Sequence, residues 1–364
     1  MACETEKWLI LQLVFLAACY LERSCVHGES PQVPCIFIFS DSMSDNGNNN
    51  NLQTQAKANY KPYGIDFPPT GQLGRFTNGQ TTIDHITELL GFEKFIPPNA
   101  NTSGADIIKG VNYASGSSGI RDDSGRQKVY NSLFLESQIR NHKIIVSKIV
   151  NKFRSESEAN KYLNKCLYYV NTGSNDYINN YFMPEIYQTS RIYNPEQYAQ
   201  VLINQYSFQI RDLHNIGARK FILVGLGLLG CTPNAIAKNG NNGSCVESQN
   251  AAPLIFSQKL RSLVDKFNVR FQDSKFIFVN STASPVQSTP AFTVINAPCC
   301  PTREDGMCIP DSTPCPNRDD HVFYDGIHTS TAYNNFSALA SYDSSISPDS
   351  THPMDIKQLA QYSI

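Results

Sequence analysis

The sequence predicts an α/β fold in which a parallel sheet carries helices on both faces. Two observations support it. Five short runs rich in β-branched and aromatic residues recur along the chain, and most are continuously apolar, as strands buried on both faces are. Segments with helical periodicity lie between them, and that alternation is the pattern of a parallel sheet with crossover helices. Composition agrees. An apolar share of 41% with 11% aromatic excludes intrinsic disorder. Thirty basic residues nearly cancel thirty-two acidic ones, so neither nucleic acid nor an anionic membrane surface is expected as a partner.

The elements follow in order. Residues 8–21 are an apolar run short of the ~20 residues a membrane-spanning helix needs, and Val26-His27-Gly28 offers a cleavage end. This predicts a signal peptide over 1–28, a secreted, extracellular product and one domain over 29–364. No later stretch is long enough to span a membrane. The strand runs are 35–40, 110–115, 166–173, 220–227 and 274–280. Helical periodicity covers 78–90 (Ile83, Ile86, Leu89, Leu90) and 133–150 (Leu135, Ile139, Ile144, Ile145, Ile149). It continues over 195–216, between a starting Pro195 and a stopping Gly217, and over 247–272 (Leu254, Leu260, Leu263, Phe267). NGNNNN at 46–51 reads as a loop. Residues 283–324, rich in Pro, Cys and Asp without periodicity, read as a long stapled loop.

Of eleven cysteines, Cys3, Cys19 and Cys25 lie in the leader. The eight that remain are an even number, as a disulfide framework of an exported protein requires. Cys231 and Cys245 bracket a loop and are expected to pair. Cys299, Cys300, Cys308 and Cys315 are expected to bond among themselves or to Cys35 or Cys166. They could instead bind zinc, but no histidine stands at ligand spacing beside them, and no metal is expected. Sequons at Asn101, Asn242, Asn280 and Asn335 are candidate glycosylation sites.

Open parallel sheets bind ligands at the carboxyl ends of their strands. Ser42 follows the first run, Gly116 the second and Asn175 the third, and Asp325 and His328 stand near the end of the chain. A hydroxyl, glycine amides, a carboxamide and an Asp/His pair are the parts of a serine hydrolase. Each has a plainer reading. Ser42, expected to open a helix, could be only its N-cap. Asn175 could be a turn residue. Gly116 could be a turn glycine, with Gly119 competing for its role. Asp325 and His328, three apart, could be a solvated pair. His85, His142, His214, His321 and His352 show no such context. Gly225-Leu226-Gly227-Leu228-Leu229-Gly230 matches a dinucleotide fingerprint, but Cys231, Thr232 and Pro233 follow where a helix should open, and no cofactor is expected.

FIFSDSMSDNGNNN, PPTGQLGRFTNGQTTIDH, GVNYASGSSGI, NTGSNDY, GARKFILVGLGLLGCTP and VFYDGIH, in this order, resemble the blocks of plant GDSL esterase/lipases, a family of the SGNH hydrolase superfamily. The resemblance covers roughly residues 35–340. It implies a three-layer α/β/α sandwich of flavodoxin-like type with a mostly parallel five-stranded sheet. It implies Ser42 as nucleophile, His328 as base oriented by Asp325, and Ser42, Gly116 and Asn175 at the oxyanion hole. The implied activity is hydrolysis of carboxylic esters, small or lipid, through an acyl-serine. The same acyl-enzyme could serve an acyltransferase. Ser40 replaces the family's glycine before the Asp-Ser pair, Met43 its leucine and Thr329 its proline after the histidine. Ser40 and Thr329 motivate the rival reading of a catalytically weakened binding protein.

Overall fold

A computed structural model describes residues 30–67, 74–102, 104, 106–126, 133–283 and 292–364. The expected leader over 1–28 lies outside the described residues.

Five strands form where the apolar runs predicted them: β1 (Ile36–Ser40), β2 (Gly110–Asn112), β3 (Leu167–Asn171), β4 (Lys220–Val224) and β5 (Lys275–Val279). They pair in parallel in the order β2-β1-β3-β4-β5, with Ile36 opposite Leu167 and Ser40 opposite Asn171. The expected sheet of five strands gains a sixth. The two-residue β8 (Thr351–His352) pairs antiparallel to β5. It is too short to show a period of two in the sequence.

The expected helices form as α1 (Thr82–Leu89), α2 (Leu135–Phe153), α4 (Pro195–Asn215) and α6 (Glu247–Arg270), joined by α3 (Glu156–Leu163), α5 (Pro233–Asn239), α7 (Thr331–Tyr342) and α8 (Ile356–Gln361). Pro195 opens α4 behind an Asn194/Gln197 capping box. Successive strand side chains point to opposite faces. Phe37, Phe39, Tyr168, Val170, Phe221 and Leu223 therefore pack with α2, α4 and α6. Ile36, Ile38, Leu167, Tyr169, Ile222 and Val224 pack with α1, α7 and α8. Three layers result. Ile144, counted in the periodicity of α2, instead faces solvent.

Four disulfides link Cys35–Cys166, Cys231–Cys245, Cys299–Cys315 and Cys300–Cys308. The late loop is not wholly irregular, because β6 (Val294–Pro298) and β7 (His321–Phe323) pair in parallel within it. His321 Nδ1 does approach Cys315 Sγ, at 3.5 Å, but that sulfur is bonded to Cys299. Among the described residues no helix is long and apolar enough to cross a membrane. Asn101, Asn242 and Asn335 are exposed. Asn280 is half-buried, and its amide oxygen accepts from the Thr282 hydroxyl.

Candidate active site

Strand order reverses at β1, whose neighbours β2 and β3 leave it in opposite directions, and this is where open α/β sheets form their crevice. Ser42 follows β1 and Asn175 follows β3 at that switch point. Ser42 does not open a helix as expected. Residues 41–44 form a turn closed by Ser44 and Asp45 N–H donating to the Asp41 carbonyl, with Met43 N–H donating to the Asp41 carboxylate. The turn leaves Ser42 half-buried and facing the cleft, while Ser44 is buried.

Residues 286 positions apart meet here. Ser42 Oγ lies 2.9 Å from His328 Nε2, and His328 Nδ1 lies 2.8 Å from Asp325 Oδ2. Asp325 is fully buried, and its Oδ1 accepts the Ile327 and His328 N–H groups at 2.7 Å each. With Nδ1–H donating to the carboxylate, Nε2 turns its lone pair toward the Ser42 hydroxyl. Phe76 covers the imidazole, ring centroids 5.0 Å apart. Ala56, Phe76, Ile178, Met307 and Ile327 give the cleft apolar walls, with Ser42, Ser117, Asn175 and His328 among its polar groups.

The Asn175 amide lines this cleft. Its nitrogen donates to Ser118 O and its oxygen accepts from Asn179. Gly116 is corrected. Its N–H donates to Asp45 Oδ2 at 2.9 Å, so it is not available to a substrate. The glycine is needed there for space, since a Cβ would come within 2.8 Å of both Asn49 Nδ2 and Phe76 Cζ. Gly119 does not line the cleft. Its missing Cβ makes room for the Asp176 carboxylate and Ser124. Ser117 is the next residue after Gly116. It lines the cleft, and the backbone N–H groups of Ser117 and Ser42 have no partner among the described residues. Ser117 has φ 65°, a left-handed conformation that favours glycine.

Sequence reasoning passed over the groups behind the site. The asparagine run is largely buried. Asn48 donates to Asn112 O and Ala114 O, and Asn49 to Ala56 O and Gly116 O, tying the turn after β1 to the end of β2. Tyr63 O–H donates to Asp325 Oδ2 at 2.6 Å. Burial pushes the Asp41 carboxyl up to about 7, and the Asp45 and Asp176 carboxyls up to about 6. Two of the three departures from the family pattern, Ser40 and Thr329, are held by named partners. Ser40 is a strand residue whose main chain is clamped by the Gln138 amide, while its buried hydroxyl has no partner among the described residues. Thr329 Oγ1 donates to Asn334 at 2.6 Å, anchoring to α7 the segment a proline would have stiffened.

A family model described as GDSL-like Lipase/Acylhydrolase matches residues 36–340. The chain belongs to this family. Among its relatives in Arabidopsis thaliana, GDSL esterase/lipase At4g18970 is 48% identical over 342 residues, covering 91% of this chain and 93% of that one. GDSL esterase/lipase At1g29660 is 47% identical, covering 91% and 92%. GDSL esterase/lipase At5g45670 is 45% identical over 361 residues, covering 97% and 98%. The matched span of the GDSL family model includes the first five strands, Ser42, Gly116, Asn175 and the Asp325–His328 turn.

Proposed function

We propose that the chain, a carboxylic ester hydrolase by family, works through an acyl-serine on Ser42. The observation that carries this reading is the continuous contact from Ser42 Oγ through His328 to a buried Asp325. Ser42 Oγ attacks the ester carbonyl as its proton passes to His328 Nε2. The tetrahedral intermediate collapses, the alcohol leaves with the proton from His328, and Ser42 keeps the acyl group. Water then attacks the acyl carbon, losing its proton to His328; the second tetrahedral intermediate collapses, Ser42 Oγ takes that proton back from His328 as it leaves, and the acid is released. The Ser42 and Ser117 N–H groups and the Asn175 amide are the donors assigned to the developing oxyanion. The apolar walls of the cleft suit an acyl chain beside the ester. Four disulfides and the apolar run at 8–21 support an exported protein with a cleaved leader over 1–28. The exposed sequons at Asn101, Asn242 and Asn335 are its proposed glycan sites.

A fluorophosphonate probe tests the mechanism. It is expected to label one peptide, containing Ser42. Labelling is expected to vanish in Ser42→Ala and to drop sharply in His328→Ala. Labelling on Ser44, or none on folded protein, contradicts the assignment.

A further inference from the structure

We propose that Tyr63 is a positioning residue for the reaction, one that donates a fixed hydrogen bond to Asp325 and so sets how firmly that carboxylate holds the imidazole once it takes up the serine proton. The inference rests on the Ser42–His328 reading above.

The geometry leaves the phenol little choice. Tyr63 is buried, with its oxygen 2.6 Å from Asp325 Oδ2, 3.0 Å from the Cys308 N–H and 3.7 Å from Met307 Sδ. A phenol has one proton to give. The Cys308 N–H occupies an acceptor site on the oxygen, so the proton turns elsewhere. The charged carboxylate is both nearer and the stronger acceptor than a thioether. Burial, and then the neighbouring Asp325 charge, hold the Tyr63 hydroxyl well above its ordinary range, so it stays a neutral donor. Three rings fix the side chain: Tyr60, Tyr324 and Phe76 meet it edge-on at 5.3, 5.9 and 6.3 Å. Tyr324 O–H also donates to Pro62 O, pinning the segment that carries Tyr63 to the residue before Asp325.

The oxygen that accepts from Tyr63 is the one that accepts from His328 Nδ1. A donor to a carboxylate stabilises its charge and makes it a weaker partner for a neighbouring cation. Tyr63 therefore moderates the support Asp325 gives to the imidazolium. The other charged or titratable groups around the pair are Asp41 from the turn after β1, Tyr60 beside Tyr63, Tyr324 from the end of β7, and Asp305 with its Arg303 partner in the stapled loop. Of these, the Tyr60 hydroxyl also interacts directly with that of Tyr63.

The test is the acid limb of kcat/KM for Tyr63→Phe on an activated ester. The limb is expected to move to higher pH by roughly half to one unit, because the freed carboxylate favours the protonated imidazole. Tyr162→Phe is the control. Its hydroxyl bonds to Pro34 O and Ile108 O and touches neither Tyr63 nor Asp325, so its limb is expected to stay. A merely structural role for Tyr63 would lower kcat without moving the limb, and an unmoved limb overturns the proposal. If Tyr63→Phe does not fold, replacement by 3-fluorotyrosine keeps the shape and strengthens the donor, and the limb is then expected to move to lower pH. An unmoved limb there also overturns it. The His328 ring titration followed by NMR reads the same shift without turnover. A shifted titration in a protein inactive on all esters would sink the proposed function and leave the Tyr63–Asp325 coupling standing.

Discussion

Asp41 follows β1 fully buried, its carboxylate accepting the Met43 N–H. Burial raises it from 3.8 to about 7. Between about pH 4 and 7 the folded chain thus holds a proton that the unfolded chain has released. Stability present below pH 4 is lost as pH rises through 7, at a slope approaching about 1.4 kcal/mol per pH unit for one proton. Asp41→Asn removes that proton from the balance. Its melting temperature relative to the parent is expected to rise from pH 4.5 to about 7 and then to level off. Parallel curves for the two proteins would mean that Asp41 ionises without penalty. The side chains proposed to react were legible only through the ordered family blocks, because a hydroxyl after a buried strand and an Asp/His pair three apart each have a plainer reading when taken alone. Tyr63 was not legible. Its value comes from touching Asp325, 262 positions away, and nothing local marks one tyrosine among eighteen.

At the scale of elements, the loops after β1 and β2 act as one body. Asp45 reaches the Gly116 N–H, and Asn49 reaches both Ala56 O and Gly116 O. Asn and Asp side chains bond readily to backbone groups, which is why an asparagine run can serve as scaffold. Gly116 is the point where this body is tightest. Gly116→Ala puts a methyl group within 2.8 Å of Phe76, the ring that covers His328. Overpacking of this kind costs about 1–3 kcal/mol. A displacement of ~1 Å at the reacting groups costs about 10²-fold in rate. Gly116→Ala is expected to keep its fold by near-UV circular dichroism and to lose at least tenfold in kcat. A fully active variant would show that the cleft absorbs the methyl group.

For the whole molecule, the disulfides differ in what they restrain. Cys35–Cys166 spans 131 positions and joins the starts of the adjacent strands β1 and β3, whereas Cys231–Cys245 spans 14. In the chain-entropy model the long loop contributes about 5 kcal/mol and the short one about 3. Replacing both cysteines of each pair by alanine in two separate proteins compares them. Denaturant midpoints are expected to fall further for the Cys35/Cys166 pair. The reverse order would show that native packing, not loop closure, governs their contribution.

Much of the architecture is written locally. Apolar runs buried on both faces, periodic helices and the Pro195/Gly217 boundaries depend on neighbours within a few residues, so sequence alone determined the order of strands and helices, the parallel sheet and the strand ends at which Ser42 and Asn175 stand. It also carried the family blocks and the Cys231–Cys245 pairing. Tertiary structure decided the rest. Which amide is free, Gly116 or Ser117, depends on whether a carboxylate seventy-one positions away claims it. The two-residue β8 and the pairing of β6 with β7 form because partners distant in the chain supply their hydrogen bonds. The remaining three disulfide pairings and the Tyr63 bond to Asp325 have the same origin: the contacts that define them exist only after the chain has closed on itself.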